Sequence, residues 1–253
     1  MNSLNISNSS LIWSSILIFI ALAIDHKEQL GLGKDIFIAS IRAVIQLFLV
    51  GYLLGYIFEL DHIIVTLAMV LFIVLNAAYN AGKRANNLPH AFRNSLIAIG
   101  VGTGVSLAVL LLSGALVWTP SQIVPITGMI AANAMTAVGV GYRTMHTKFT
   151  DQQQQVLERL ALGATPNQAS KTIIRESIKS AMAPTVDRTK TVGLVSLPGM
   201  MSGLMFAGIN PVEAIRYQIV VMFMLIAVTG FSTMISSYLS YKSYFNDRIQ
   251  LTI

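Results

Sequence analysis

Hydrophobic and polar positions divide this chain into long apolar runs separated by short polar breaks, with one long interruption. Apolar runs of about the length that crosses a bilayer, roughly 20 residues, are expected at 7–24, 36–58, 62–80, 95–118, 122–142, 191–209 and 214–241. Residues 143–190 form the interruption, and their polar pattern still carries helical spacing. Val156, Leu157, Leu160 and Ala161 recur at helix-like intervals, as do Ile173, Ile174, Ile178 and Met182. Gly163 and Pro166 split the two sets. Thr165 is placed to cap a second helix with Pro166 at its first position, where a missing N–H costs nothing, and Pro184 is expected to stop that helix. The pattern predicts an all-α, polytopic membrane protein of seven spans, a single permease-like domain, with two short amphipathic helices between the fifth span and the sixth.

Composition agrees. The chain has 253 residues, 54% hydrophobic and 11% charged, against about 25% charged in soluble domains. A water-soluble globule of this length could not bury that much apolar surface. The net charge of +6 raises the question of a nucleic-acid partner, but the basic residues are sorted between loops rather than gathered on a face, which assigns them to membrane topology. Breaks at 59–61, 119–121 and 208–213 hold no Lys or Arg, whereas 143–190 alone holds eight. The positive-inside rule therefore predicts an outer N-terminus, a cytoplasmic C-terminus and a cytoplasmic 143–190. A signal peptide would want a positive n-region, and no Lys or Arg precedes Lys27. There is no cysteine, no GxxxxGK[ST] loop and no HExxH spacing. No catalytic residue and no bound cofactor is expected in this chain.

Glu158, Leu160, Ala161, Gly163, Ala164, Gln168, Ala169, Ala183 and Pro184 follow in order through the interruption. This order resembles the coupling loop of ABC-transporter permeases, with Arg159 and Leu160 standing where that loop prefers alanines. The stretches IRAVIQL near Ile41, LNAAYNAGKRA near Leu75, ITGMIAANAMTAVG near Ile126 and VDRTKTVGLVSLPGMMSGLMFAGI from Val186 resemble the FetB family of iron-export permeases, whose plant relatives are linked to aluminium tolerance. The resemblance covers essentially the whole chain. It implies a permease that dimerises and pairs with a separate cytoplasmic ABC ATPase, which uses ATP and Mg, and it implies export of a metal ion such as iron. It also implies that Glu158, Leu160, Ala161, Gly163, Ala164 and Pro184 couple the two subunits. An amphipathic hairpin resting on lipid headgroups is the alternative for the same residues.

Other candidates come from the residues themselves. Pro198 and Gly199 are expected to break the sixth span, with Met200 and Met201 directly after; broken helices often line transport paths, and methionine is also an adaptable packing residue. Asn76 and Asn80 lie one turn apart, and Asn133 sits in a run of small residues. Such amides either line a path or join helices. Arg42 with Gln46, the outer Glu59, Asp61 and His62, and an i,i+3 pair of Glu213 with Arg216 complete the polar inventory. A gradient-driven secondary transporter would instead need a carboxylate in mid-span, and every Asp and Glu falls at an expected loop or span end.

Overall fold

A computed structural model describes residues 7–60, 62–85, 88–246 and 248–252. The expected Asp61 of the outer face, and the side chain of Glu59, lie outside what is described. The chain divides into two compact units, Met1–Asp61 and His62–Ile253.

The first unit holds α1 (Asn8–Ser14), α2 (Ile16–Glu28) and α3 (Gly33–Leu60). Ser7 caps α1 by accepting from the Ser10 N–H. Between α2 and α3, Asp25 Oδ1 accepts from the Leu32 N–H at 2.7 Å, so a buried carboxylate holds the turn. Arg42 and Gln46 are exposed along α3.

In the second unit, α4 (Ile63–Lys83), α5 (Ala91–Leu112), α6 (Pro120–Asp151) and α10 (Pro211–Ser240) pack on one another. Three of these starts have a local cause. His62 Nδ1 accepts from the Ile64 N–H ahead of α4, Pro120 begins α6, and Asn210 Oδ1 accepts from the Val212 N–H with Pro211 as the first helical residue of α10. Their shared core is built from small side chains as much as large ones: Ala77, Ala78, Ala81, Ala131 and Ala134 sit with Ile99, Ile123, Ile130 and Val228. Gly102 on α5 faces Ser232 on α10 so closely that a Cβ would overlap the Ser232 hydroxyl. Polar groups in this bundle bond across helices, Ser95 to Tyr142 at 3.0 Å and Asn94 Nδ2 to Ser240 Oγ at 3.0 Å.

Six helical segments among the described residues are long and apolar enough to cross a membrane: Ser9–Glu28, Gly33–Ile57, Ile63–Lys83, Ala91–Leu112, Pro120–Asp151 and Pro211–Tyr244. With their broad exposed apolar surfaces, they make this a multi-pass, all-α membrane protein in contact with lipid.

Two expectations are corrected. The expected sixth span, 191–209, is an irregular stretch followed by α9 (Gly199–Phe206), only 8 residues long. Pro184 does not stop a helix; α8 (Pro166–Thr191) runs through it for 26 residues. Proline deprives the backbone of one donor and crowds the preceding turn, but here it stands on the exposed side of α8. The second half of α8 lies along α10: Met182 packs over Gly230, and Thr185 Oγ1 is 3.4 Å from Thr229 Oγ1.

The close approach at Gly102 yields a prediction. Gly102→Val should destabilise the protein by about 1–3 kcal/mol, the usual cost of overpacking, whereas Gly104→Ala, with open space around its position, should be neutral or slightly stabilising. Thermal unfolding of both variants in one detergent decides it.

Candidate functional site

The hairpin after α6 is formed by α7 (Gln153–Ala161), a four-residue turn and the start of α8. Its two ends are strongly specified. At the end of α7 the Ala164 N–H donates to Arg159 O and the Gly163 N–H donates to Leu160 O, both at 3.0 Å. That is a Schellman closure, and it puts Gly163 at φ +87°, a conformation glycine adopts without the Cβ penalty other residues meet. Two residues later Thr165 and Gln168 form a reciprocal capping box: the Gln168 N–H donates to Thr165 Oγ1 and the Thr165 N–H donates to Gln168 Oε1. Arg159 then crosses the hairpin, donating to Ala169 O at 3.0 Å.

The hairpin is braced on a second core. Val156, Ala169, Ile173 and Ile174 are buried with Met145 and Phe149 of α6 and with Tyr241 and Tyr244 of the 3-10 turn Tyr241–Tyr244. Phe149 and Tyr244 stack with ring centroids 4.1 Å apart, and Lys148 pairs with Glu176 at 2.9 Å. Helical periodicity thus identifies the apolar faces correctly, but Val156, Ile173 and Ile174 point into the protein's own core. They are not free to serve as ridges for a partner. What remains exposed is the tip: Leu157, Glu158, Ala161, Leu162 and Gly163. Leu162 is 88% exposed. Sequence inspection missed it because it falls outside the periodic set; an apolar residue directly before a helix-ending glycine was the available signal.

Of the coupling candidates, Glu158, Ala161 and Gly163 lie exposed at the tip, while Leu160 and Ala164 are half-buried against the second core. Pro184 stands apart, 18 residues beyond the start of α8, about 27 Å at the usual rise.

The pathway candidates scatter. Asn80 Nδ2 donates to Asn76 Oδ1 at 2.8 Å and to Asn76 O at 2.9 Å, so the pair bonds internally on an exposed face of α4. Asn133 Nδ2 donates to Met129 O of its own helix at 2.8 Å. Pro198 caps α9 and Gly199 opens it, with open space around the glycine. Met200 packs against the main core, whereas Met201 lines a cavity of about 530 Å³ with Thr189, Val192, Gln218 and Met222. Gln218 Oε1 is buried there without a hydrogen-bond partner, a residue that sequence inspection overlooked inside an apolar run. Among the described residues no three His, Cys, Asp or Glu side chains gather as metal ligands. The ion pairs found there are Lys148–Glu176 and Lys190–Asp187, so the expected Glu213–Arg216 pair is not formed. One carboxylate of the polar interruption 143–190, Asp187, stands in the part of α8 that runs beside α10.

Known proteins resemble this chain over most or all of its length. The family described as "Uncharacterised protein family (UPF0014)" matches residues 8–245. The chain is 55% identical over 253 residues, all of it and 98% of the other protein, to "Probable iron export permease protein FetB" of Escherichia coli strain K12. It is 37% identical to "UPF0014 membrane protein STAR2" of Oryza sativa subsp. japonica, covering 94% of this chain and 84% of that one. To "Protein ALUMINUM SENSITIVE 3" of Arabidopsis thaliana it is 34% identical, with 93% and 86% covered. No solved structure matches. The chain belongs to the UPF0014 family.

The turn chemistry generates a prediction of its own. Thr165→Ala removes one half of the capping box and should cost about 1 kcal/mol, felt locally. Hydrogen exchange should quicken in the first turn of α8 while the α4–α5–α6–α10 bundle is unchanged.

Proposed function

We propose that this UPF0014 chain is the permease subunit of an ATP-driven ABC transporter, working as a homodimer in the bacterial inner membrane and exporting a metal ion such as iron. The observation that carries the proposal is the hairpin. A tip of Leu157, Glu158, Ala161, Leu162 and Gly163 is exposed, while the helices behind it are locked by a Schellman closure, a capping box and a buried aromatic core. A tip that is rigidly braced and apolar at its apex transmits force to whatever it touches. Small exposed apolar patches rimmed by polar groups are the usual anatomy of a docking point. α8 continues from the tip onto α6 and then along α10, so a push on the tip is delivered to the membrane helices without a flexible joint.

In this proposal two cytoplasmic ATPase subunits receive the two tips, and ATP with Mg is consumed there. The hairpins then tilt α8 against α10 and change which side of the membrane the path faces. Positive-inside bookkeeping supports a cytoplasmic hairpin and C-terminus with an outer N-terminus. Export and iron rest on the name of the Escherichia coli relative. A gradient-driven transporter is the alternative, and Asp187 beside the middle of α10 is the one observation in its favour.

The test is capture of the ATPase. The tagged chain, extracted in mild detergent from the native host, should bring down a nucleotide-hydrolysing subunit. Leu162→Asp should cut that yield about ten-fold or more, the loss of one well-packed apolar anchor. Gly163→Val, which strains the turn, should reduce it as well. Absence of any captured ATPase from the unaltered chain would move the weight to the gradient-driven alternative, to be followed by transport assays with Asp187→Asn.

A further inference from the structure

The surface of α8 changes character along its length in a way that its surroundings do not. Its buried side carries Ala169, Ser170, Ile173, Ile174, Ser177 and Ala181. Its exposed side carries Thr172, Arg175, Lys179, Asp187 and Lys190 at helical spacing, with Thr191 beside them. Asp187 and Lys190 pair at 3.2 Å and remain 70% and 69% exposed.

The position of that face matters more than its composition. Ile173 is level with Tyr241 and Tyr244, at the end of the transmembrane helix α10. Asp187 and Lys190 lie 14 and 17 residues farther along, about 21 and 25 Å at the helical rise. Contacts confirm the advance: Thr185 meets Thr229, and Thr189 shares a cavity with Gln218, Ile219 and Met222. These α10 residues lie in the middle and the far half of a 34-residue helical segment that holds an 18-residue stretch of mean hydropathy 2.2. A carboxylate and an ammonium are thus exposed level with the interior of an apolar span. Charged side chains at that depth almost always face a water-filled cavity or the interior of the assembly, because lipid would charge several kcal/mol for each.

A second observation is independent of charge. Directly after Thr191 the backbone leaves the helix for residues 192–198, with Gly193 at φ +83°, and it does so beside the same part of α10, where Val192, Gly193 and Leu197 line the cavity with Ile215 and Gln218. Non-helical backbone at membrane depth is tolerated only where protein covers it or where it borders water. Leu194, Val195 and Leu197 are 89%, 82% and 55% exposed, so this chain does not cover it. The orphaned Gln218 oxygen is buried in the cavity wall.

We infer that the Arg175–Lys179–Asp187–Lys190 face of α8, with Thr191 at its end, is the wall of a water-filled path through the membrane, and that the path admits anionic solutes. The face has three positive groups and one negative, and Arg188 adds another exposed cation on its flank. A bare cation meets net repulsion along such a wall, so a metal ion passes as an anionic complex. The inference rests on the reading of this chain as a permease, but its test does not depend on ATP or on a known cargo.

The chain contains no cysteine, so a single introduced thiol reports its own surroundings. Full-length variants in native membrane vesicles are treated with membrane-impermeant methanethiosulfonates bearing either a sulfonate or a trimethylammonium group. Thr191→Cys and Lys190→Cys should react at rates within about ten-fold of Leu162→Cys at the hairpin tip, and about 100-fold or more faster than Val101→Cys on the lipid side of α5, the gap expected between water and hydrocarbon for a charged reagent. At Thr191→Cys the ratio of anionic to cationic rates should exceed that at Leu162→Cys by about three-fold or more, the field of a few charges within a Debye length. Arg188→Gln with Lys190→Gln in that background should bring the ratio down toward the tip value. Labelling at Thr191 and Lys190 as slow as at Val101 would overturn the path. Fast labelling with a ratio equal to or below the tip value would overturn its anionic character. Failure of ATPase capture alone would sink the ABC proposal and leave both results standing.

Discussion

Everything in this fold depends on backbones being allowed to come close. In hydrocarbon there is no water to squeeze from between helices, so association rests on contact area and on hydrogen bonds between them. The chain meets that demand with small residues at the α4–α5–α6–α10 contacts, Gly102 under Ser232 being the tightest. Close approach then lets short polar side chains reach one another across helices, as Ser95 reaches Tyr142 and Asn94 reaches Ser240. The same α10 face carries Thr229, Ser232, Thr233, Ser236, Ser237 and Ser240, all buried. α8 lies against part of this ladder, with Thr185 Oγ1 within 3.4 Å of Thr229 Oγ1.

The second core extends that logic beyond the bundle. Phe149 and Tyr244 stack where α6 and the end of α10 outlast the main core, and Val156, Ile173 and Ile174 close over them. The hairpin therefore inherits the rigidity of the bundle. A turn with a Schellman closure on one side and a capping box on the other has little freedom to absorb a displacement, so α7 and α8 move together or not at all. Mechanical continuity from Leu162 to Thr229 follows from those contacts, and it links the proposed docking tip to the proposed path wall through one helix.

Much of this was legible in the sequence. The long apolar runs at 62–80, 95–118 and 214–241 became α4, α5 and α10, because a run near bilayer length satisfies its backbone only as a helix. Thr165 and Pro166 announced the start of α8, since capping is decided by neighbours three residues away. Gly163 was singled out as the bend, and the structure supplies the reason in its positive φ. The failures have equally local causes. Pro184 was expected to end a helix, yet on the exposed side of α8 the lost hydrogen bond is tolerated, and helix packing on α10 overrides it. The run 191–209 is apolar enough to suggest a span, but Gly193, Pro198 and Gly199 divide it, and apolarity alone cannot tell a crossing helix from a loop with a short helix.

What the sequence by itself determined is the set of quantities that depend on near neighbours: helical periodicity, caps, turns and the membrane class, each set by backbone satisfaction and hydropathy over a few turns. Only the tertiary structure decided which way each face points and how deep each residue sits. Val156 and Ile173 turned inward because Tyr241 and Tyr244, distant in the chain, stood ready with Phe149 to cover them. Asp187 and Lys190, which in sequence belong to a polar loop, came to lie level with the middle of α10 because α8 packs antiparallel to it over a small-residue surface. Depth and facing arise from contacts between residues tens of positions apart, and no local pattern encodes them.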